Sequence, residues 1–457
     1  MWTLCRIKRN CYYFFVFIVV FTLFILPSYF PSFSVFIYIF ITVLYFITNF
    51  IKIFLFVVGV KINNVEDYYE KDDLKIPDAD LPIYSILLPV RKEKEFVLVN
   101  LLTAIYNLDY PSEKLDVKLV IDENDKETIE IGKMLLDKFK FNLIVVPDSN
   151  IKSKPMSCNF ALNFVKGKFL TIYDAEDRPE KYQLKKSIEK FNELGDDYVC
   201  LQASLNYYNK YDNFISYCFS IEYSMWFDFI IKAISKYATF FPLGGTSNHF
   251  RTDKLIELGG WDGYNVTEDA ELGIRIARAG YKVAVLNSIT EEECPITVKA
   301  WIKQRTRWIK GFMQTFCEHT MLRNPVGVNS KLKFKPIMKL KFIDIVIYNT
   351  FIMMSFFFFI SIIAVFYNHV IILGVRNFKF LSIIIYANIF SLFAMIYGAF
   401  ATIVIKNKMK INFVYFLLFP LYWILHYVAS VYALKGLIFT PFYWAKTEHG
   451  ISKTVKK

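Results

Sequence analysis

The sequence has few of the residues that build disulfides or soft-metal sites. Seven cysteines are scattered at positions 5, 11, 158, 200, 218, 294 and 317, an odd number without a Cys-x-x-Cys pair. That argues against a disulfide framework or a thiolate zinc site and fits reduced thiols in a cytoplasmic domain. The five histidines stand nowhere at ligand spacing. Any metal is therefore expected to be a hard cation on oxygen ligands. Internal repeats are absent, and so are low-complexity tracts beyond Phe-rich runs. Negative charge is in deficit, with a net charge of +12. The excess cations cluster beside apolar runs (Lys331, Lys333, Lys335, Lys339 and Lys341; Lys406, Lys408 and Lys410). Clusters so placed are orientation signals or headgroup contacts, and no nucleic-acid partner is expected.

Apolar sequence is abundant: 55% of residues are hydrophobic and 47 are Phe. Runs at 11–26, 33–60, 342–367, 380–405 and 411–439 read as membrane helices, which need about 20 apolar residues. The first is not a cleavable signal, because no small-residue cleavage site follows and a second run comes almost at once. Arg6, Lys8 and Arg9 precede it, which orients the N-terminus toward the cytoplasm. Two crossings then return the chain before Lys61. The expected organisation is a helix pair at 1–60, a cytoplasmic domain at 61–295, interfacial helices at 296–341, a membrane region at 342–440 and a basic tail at 441–457. A third crossing after the polar centre would put that tail outside, against the positive-inside rule. A split of 411–439 at Pro420 into a re-entrant pair would bring PFYWAKTEHG back.

Within the polar centre, strand and helix signals alternate. YSILLPVRKE, LDVKLVID, FNLIVVP and KFLTIYDAED read as strands; FVLVNLLTAIYNL, ETIEIGKMLLDKF and KPMSCNFALNFV read as helices. The alternation implies a mostly parallel α/β sheet. In such sheets ligands bind beyond the carboxyl ends of strands, where Arg91, Asp122 and Asp174 stand.

The chemistry-bearing residues are few. Asp174 and Glu176, two apart after a strand, suit a divalent cation shared with phosphate oxygens; the bland reading is an acidic loop whose Asp caps the next helix. Asp122 suits a base or ribose, with Glu123 and Asp125 as rivals. In NVTEDAELGIRIARAG, Thr267 reads as an N-cap with acids on the first turn. Such a capped start would also hold Asp269 rigidly as a general base. Gln304, Arg307 and Trp308 share one helix face, and an amide, a guanidinium and an indole suit a diphosphate and a stacked sugar. The rival is an interfacial helix with Trp301, Trp308 and Phe312 on lipid.

In this order the motifs resemble the family-2 inverting glycosyltransferases with a GT-A fold, in particular bacterial cellulose synthase-like enzymes. The resemblance runs from ILLPVRKE through QRTRW. It implies an α/β GT-A nucleotide-sugar-binding domain inserted between transmembrane helices, with a UDP-sugar, UDP-glucose by this resemblance, as donor. It implies donor contacts from Arg91, Glu93, Asp122, Asp125, Lys154 and Asp174. Mg²⁺ or Mn²⁺ would sit on Asp174 and Glu176, and Asp269 would be the base. Gln304, Arg307, Trp308 and Glu268 would meet the acceptor and diphosphate. It further implies an integral protein of the bacterial inner membrane, a glycan or lipid-linked acceptor, and accessory subunits. The metal motif departs from the family pattern, reading Asp-Ala-Glu-Asp. The rivals are transfer of one sugar to a polyprenyl phosphate and a transporter with a cytoplasmic regulatory domain. The transporter is disfavoured because the apolar runs carry almost no ionisable groups.

Overall fold

The computed structural model describes residues 2–25, 29, 31–63, 76–148, 153–321, 335–336, 339, 390, 393–394, 396–404 and 409–444. The expected run at 342–367, most of that at 380–405 and the tail beyond 444 lie outside the described residues. The first two apolar runs are helices: α1 (Trp2–Val20), extended by a π-helical turn at Phe21–Ile25, and α2 (Pro31–Asn63). The polar centre then forms β1 (Tyr84–Val90), α3 (Glu95–Tyr106), β2 (Leu115–Asp122), α4 (Lys126–Leu135), β3 (Asn142–Val146), α5 (Lys154–Ala161) and β4 (Phe169–Ile172). Each falls where the alternation of sequence places it. The runs ILLPV and KLVI are buried almost throughout, as strands covered on both faces must be.

After β4 come β5 (Arg178–Pro179), α6 (Gln183–Leu194), β6 (Tyr198–Tyr207), α7 (Phe214–Tyr223), a π-helical segment at Ser224–Ile230 and α8 (Ile231–Tyr237). Then follow β7 (Asn248–Arg251), α9 (Thr252–Glu257), α10 (Glu268–Ala279), β8 (Lys282–Glu292), α11 (Val298–Met321) and α12 (Phe413–Phe439). The eight strands form one sheet in the order β3-β2-β1-β4-β7-β6-β8-β5. β3, β2, β1 and β4 are parallel, but β7 is antiparallel to both neighbours and β5 to β8. The sheet is therefore mixed, since the chain returns through β7 only after the helical excursion of residues 214–237.

One sheet face packs against α3, α4 and α6 through residues such as Leu98, Ile129 and Phe191. The other packs against α5, α7, α8 and α10, and its apolar core continues into Leu55 and Phe56 of α2 and Phe419 and Tyr422 of α12. The apolar helices therefore share a core with the polar domain. Lys8, counted above as an orientation signal, is buried; it pairs with Asp262 and lies 2.9 Å from Glu318, which also accepts the Tyr12 hydroxyl at 2.5 Å.

α12 is one helix that contains Pro420, so the expected division there does not occur. Among the described residues it is the one helix that meets the length and apolarity of a membrane span. It runs alongside α11. Trp301 Nε1 donates to Tyr422 OH at 3.1 Å, Thr306 Oγ1 to Ala429 O at 3.3 Å and Lys310 Nζ to Thr440 O at 3.0 Å. Trp301 is fully buried and does not face lipid as the interfacial reading expected. Burying an indole is worth about 4–6 kcal/mol of apolar transfer before entropy.

Candidate active site

A cavity of about 340 Å³ opens at the strand ends. Its walls carry Arg91, Glu93, Asp122, Lys154, Asp174, Glu176, Glu268, Asp269, Gln304, Arg307 and Trp308. Asp125 is not on the wall. It is buried at the N-cap of α4, accepting from Thr128 N at 3.4 Å and from Lys92 N. Lys92 has φ +51°, an unfavourable conformation for a side-chain-bearing residue. Asp125 thus holds the bent loop that presents Arg91 and Glu93. Of its rivals, Asp122 reaches the cavity, with Oδ1 accepting from Ser157 Oγ at 2.9 Å and Oδ2 3.7 Å from Arg91 Nε. Glu123 accepts Asp148 N at 3.2 Å.

The acids after β4 form the second part. Lys154 Nζ pairs with Asp174 and donates to Gly245 O at 2.6 Å. Asp177 is turned inward, accepting from Asp174 N at 2.6 Å and from Thr246 Oγ1. Burial and the neighbouring Asp174 push it up to about 8. Glu176 is held well above the usual carboxylate range by burial and by Asp174, Asp177, Glu292 and Glu93 around it. Glu292, at the end of β8, escaped the sequence reading; the run of three acids at 291–293 was the available signal. This concentration of carboxyls fits a divalent cation, which would relieve the repulsion. Among the described residues, no group of three or more His, Cys, Asp or Glu is arranged around one metal point. A cation here needs Asp174, Glu176 and oxygens from its ligand, the pattern of magnesium sites built on phosphates.

Asp269 lies in the first turn of α10. Thr267 occupies the N-cap position, but its side chain makes no capping bond. Asn265 Oδ1 instead accepts Thr267 N at 3.0 Å. The turn is clamped from α11: Gln314 Oε1 accepts Val266 N at 3.1 Å, and Asn265 Nδ2 donates to Thr315 Oγ1 at 2.9 Å. A Cβ on Gly311 would sit 2.2 Å from Thr267 Oγ1, so only glycine permits this approach. A Cβ on Gly245 would sit 3.2 Å from Asp269 Oδ2, which places the carboxylate against the Gly-rich turn. Burial raises Asp269, opposed by Lys154, the Ala270 N–H and Arg307. Glu268 is pushed up to about 7 by burial and by Asp269.

Gln304, Arg307 and Trp308 reach the cavity from α11. Arg307 Nη1 donates to Val266 O at 3.2 Å, and its guanidinium lies 5.4 Å from the Trp444 ring. Gln304 Oε1 and Arg307 Nε are buried without protein partners, a state polar atoms rarely keep unless a ligand or water meets them. Trp444 belongs to the segment after α12. Lys310 Nζ donates to Thr440 O at 3.0 Å and Tyr443 O at 2.9 Å, and Gln314 Nε2 to Pro441 O at 3.1 Å. The sequence reading also missed Glu222 and Trp226, on a stretch that reads only as apolar helix. It likewise missed Asn49 and Lys52 on α2, and Trp423 and His426 on α12.

The model of glycosyltransferase-like family 2 matches residues 82–311, from β1 into α11. The chain belongs to this family, and its domain has the GT-A-like α/β fold. One relative is the probable glycosyltransferase YdaM of Bacillus subtilis (strain 168), 30% identical over 243 residues. The match covers 51% of this chain and 56% of that protein, so the chain spans little more than half the relative's length. Among solved structures, the mannosyltransferase PcManGT from Pyrobaculum calidifontis, in complex with GDP-Man and Mn²⁺, aligns at TM-score 0.53 and 16% identity. That alignment covers 86% of this chain and 98% of PcManGT.

Proposed function

We propose that the protein is a membrane-embedded, inverting hexosyltransferase that extends a β-glycan from a UDP-sugar, with UDP-glucose as donor, and passes the product across the bilayer. The observation that carries this reading is one cavity shared by strand-end acids, Asp269, and polar or aromatic groups of the apolar helices α2 and α12. Asp122 and the 91–93 loop hold the nucleotide. Lys154 and Arg307 face the diphosphate. Asp174 and Glu176 would hold Mg²⁺ or Mn²⁺, which would neutralise charge on the diphosphate; PcManGT was solved in complex with Mn²⁺. Asp269 takes the proton from the acceptor hydroxyl as that oxygen attacks the anomeric carbon, and the bond to the diphosphate breaks on the opposite side. Trp308 sits at the acceptor end of the cavity.

Lys52 on the cavity wall favours a second reading, transfer of one sugar to a polyprenyl phosphate whose phosphate meets that cation. Both place the catalytic domain on the cytoplasmic face of a bacterial inner membrane. The test uses inverted membrane vesicles, Mn²⁺ or Mg²⁺ and a panel of labelled UDP-sugars, comparing native protein with Asp269→Asn. Native-only label in long, alkali-stable material supports the polymerase. Label only in organic-extractable lipid supports the second reading. Label independent of Asp269 overturns both.

A further inference from the structure

Arg305, inside QRTRW, has no part in the transfer chemistry above. Its guanidinium is packed among aromatic rings, 4.6 Å from the Phe219 centroid, 4.6 Å from Trp308 and 5.2 Å from Trp301. Its Nη2 donates to Glu222 Oε2 at 2.8 Å. The same oxygen accepts Tyr422 OH at 2.5 Å and lies 3.7 Å from His426 Nε2. Glu222 stands two residues before the π-helical segment, and such segments recur at functional sites. Burial alone would raise this carboxyl, but the Arg305 charge beside it brings it down to about 2. Three distant pieces of chain, α7, α11 and α12, therefore meet at one carboxylate.

Trp308 is the side chain this arrangement surrounds. Phe219 lies 5.8 Å from its ring and Tyr223 stacks on it at 6.1 Å, while Arg305 covers a further face. Arg305 and Glu222 also reach the cavity wall, yet their charges neutralise each other.

We propose that Arg305 and Glu222 are a positioning pair for Trp308, fixing its indole at the acceptor end of the cavity and in register with α12. The inference rests on the reading of the cavity as a sugar-transfer site. Lysine cannot replace Arg305, because an ammonium keeps the charge and loses the planar face that stacks between rings. Among the described residues, the hydrogen bonds and ion pairs named for these two side chains stay within α7, α11 and α12, while the donor side is built on β1, β2 and β4.

The test uses the purified full chain in lipid nanodiscs with Arg305→Lys, Glu222→Gln and the double variant Arg305→Met/Glu222→Gln, which removes both charges together. The near-ultraviolet dichroism of Trp308 is read as the difference from Trp308→Phe in each background. Kinetics use UDP-glucose with a short β-linked glucose oligosaccharide, and UDP affinity is measured by titration. The expected result is loss of the Trp308 difference band and an acceptor KM raised about tenfold, with UDP affinity held within about twofold. Melting temperature identifies any variant that fails to fold, and Arg305→Lys then decides. A retained band with native kinetics in Arg305→Lys overturns the proposal. So does an equal loss of UDP and acceptor affinity. If native protein turns over no sugar donor, the reading of function fails while the dichroism still decides the positioning role.

Discussion

Arg91, Asp122 and Asp174 come from the ends of adjacent, hydrogen-bonded strands, with Val90 paired to Ile121 and Leu87 to Ile172. Trp226, Trp308 and Trp423, on the other wall, come from a π-helical segment, α11 and α12, held together by side-chain packing and side-chain hydrogen bonds such as Trp301 Nε1 to Tyr422 OH. The first wall is fixed by backbone ladders, so a side chain there can be changed without moving its neighbours. The second depends on buried pairs such as Arg305–Glu222, so one substitution displaces several groups. The helical wall is therefore the more fragile half of the cavity.

The largest effect should come from Asp269→Asn, which lies between the walls and disturbs neither. Turnover should fall about 10²–10⁴-fold with UDP affinity retained, as initial rates and titration would show. Equal loss of UDP affinity would mean that the carboxylate serves binding instead.

The pH profile sharpens the same point. Burial raises Asp269, and Glu268 stands at about 7. A base is active only when deprotonated, so activity is present above the raised pKa and lost as pH falls through it. The acid limb of kcat/KM should lie above the ordinary carboxylate range near about 4. Stability has the opposite sense: a raised carboxyl favours the fold while protonated and loses that contribution as pH rises through about 7.

Gly311→Ala attacks the packed side. Its new Cβ meets Thr267, and overpacking of this kind costs about 1–3 kcal/mol. Melting temperature should drop and kcat should fall more than donor affinity, because the turn carrying Asp269 is displaced.

Asp125→Ala should give the smallest effect, on the ladder side. Loss of the α4 cap costs about 1 kcal/mol, seen as a lower melting temperature. Donor KM should rise less than in Asp122→Ala, since Asp125 acts through the loop at Lys92.

The sequence reading reached the first wall in detail because its signals are local. An apolar run ending in an acid marks both a strand and the place where that strand's ligand-facing loop begins, as with LVID at Asp122 and LTIYDAED at Asp174. It also placed Gln304, Arg307 and Trp308 on one helix face from spacing alone. Asp125 was beyond it, because a capping carboxylate and a ligand-binding one look alike in a loop. Glu222 and Glu292 were beyond it for another reason: their neighbours in space are far away in the chain.

What the sequence determined by itself was the alternating α/β order, the strand-end acids and the helix face of QRTRW, all set by periodicity and hydrogen bonding within short segments. Tertiary structure decided that β7 enters antiparallel, that Asp125 caps while Asp122 faces the cavity, and that α12 lies along α11 as one helix through Pro420. It also decided that Trp444 closes over Arg307. These depend on which distant surfaces bury each other's apolar area and satisfy each other's polar groups, and no local pattern encodes that.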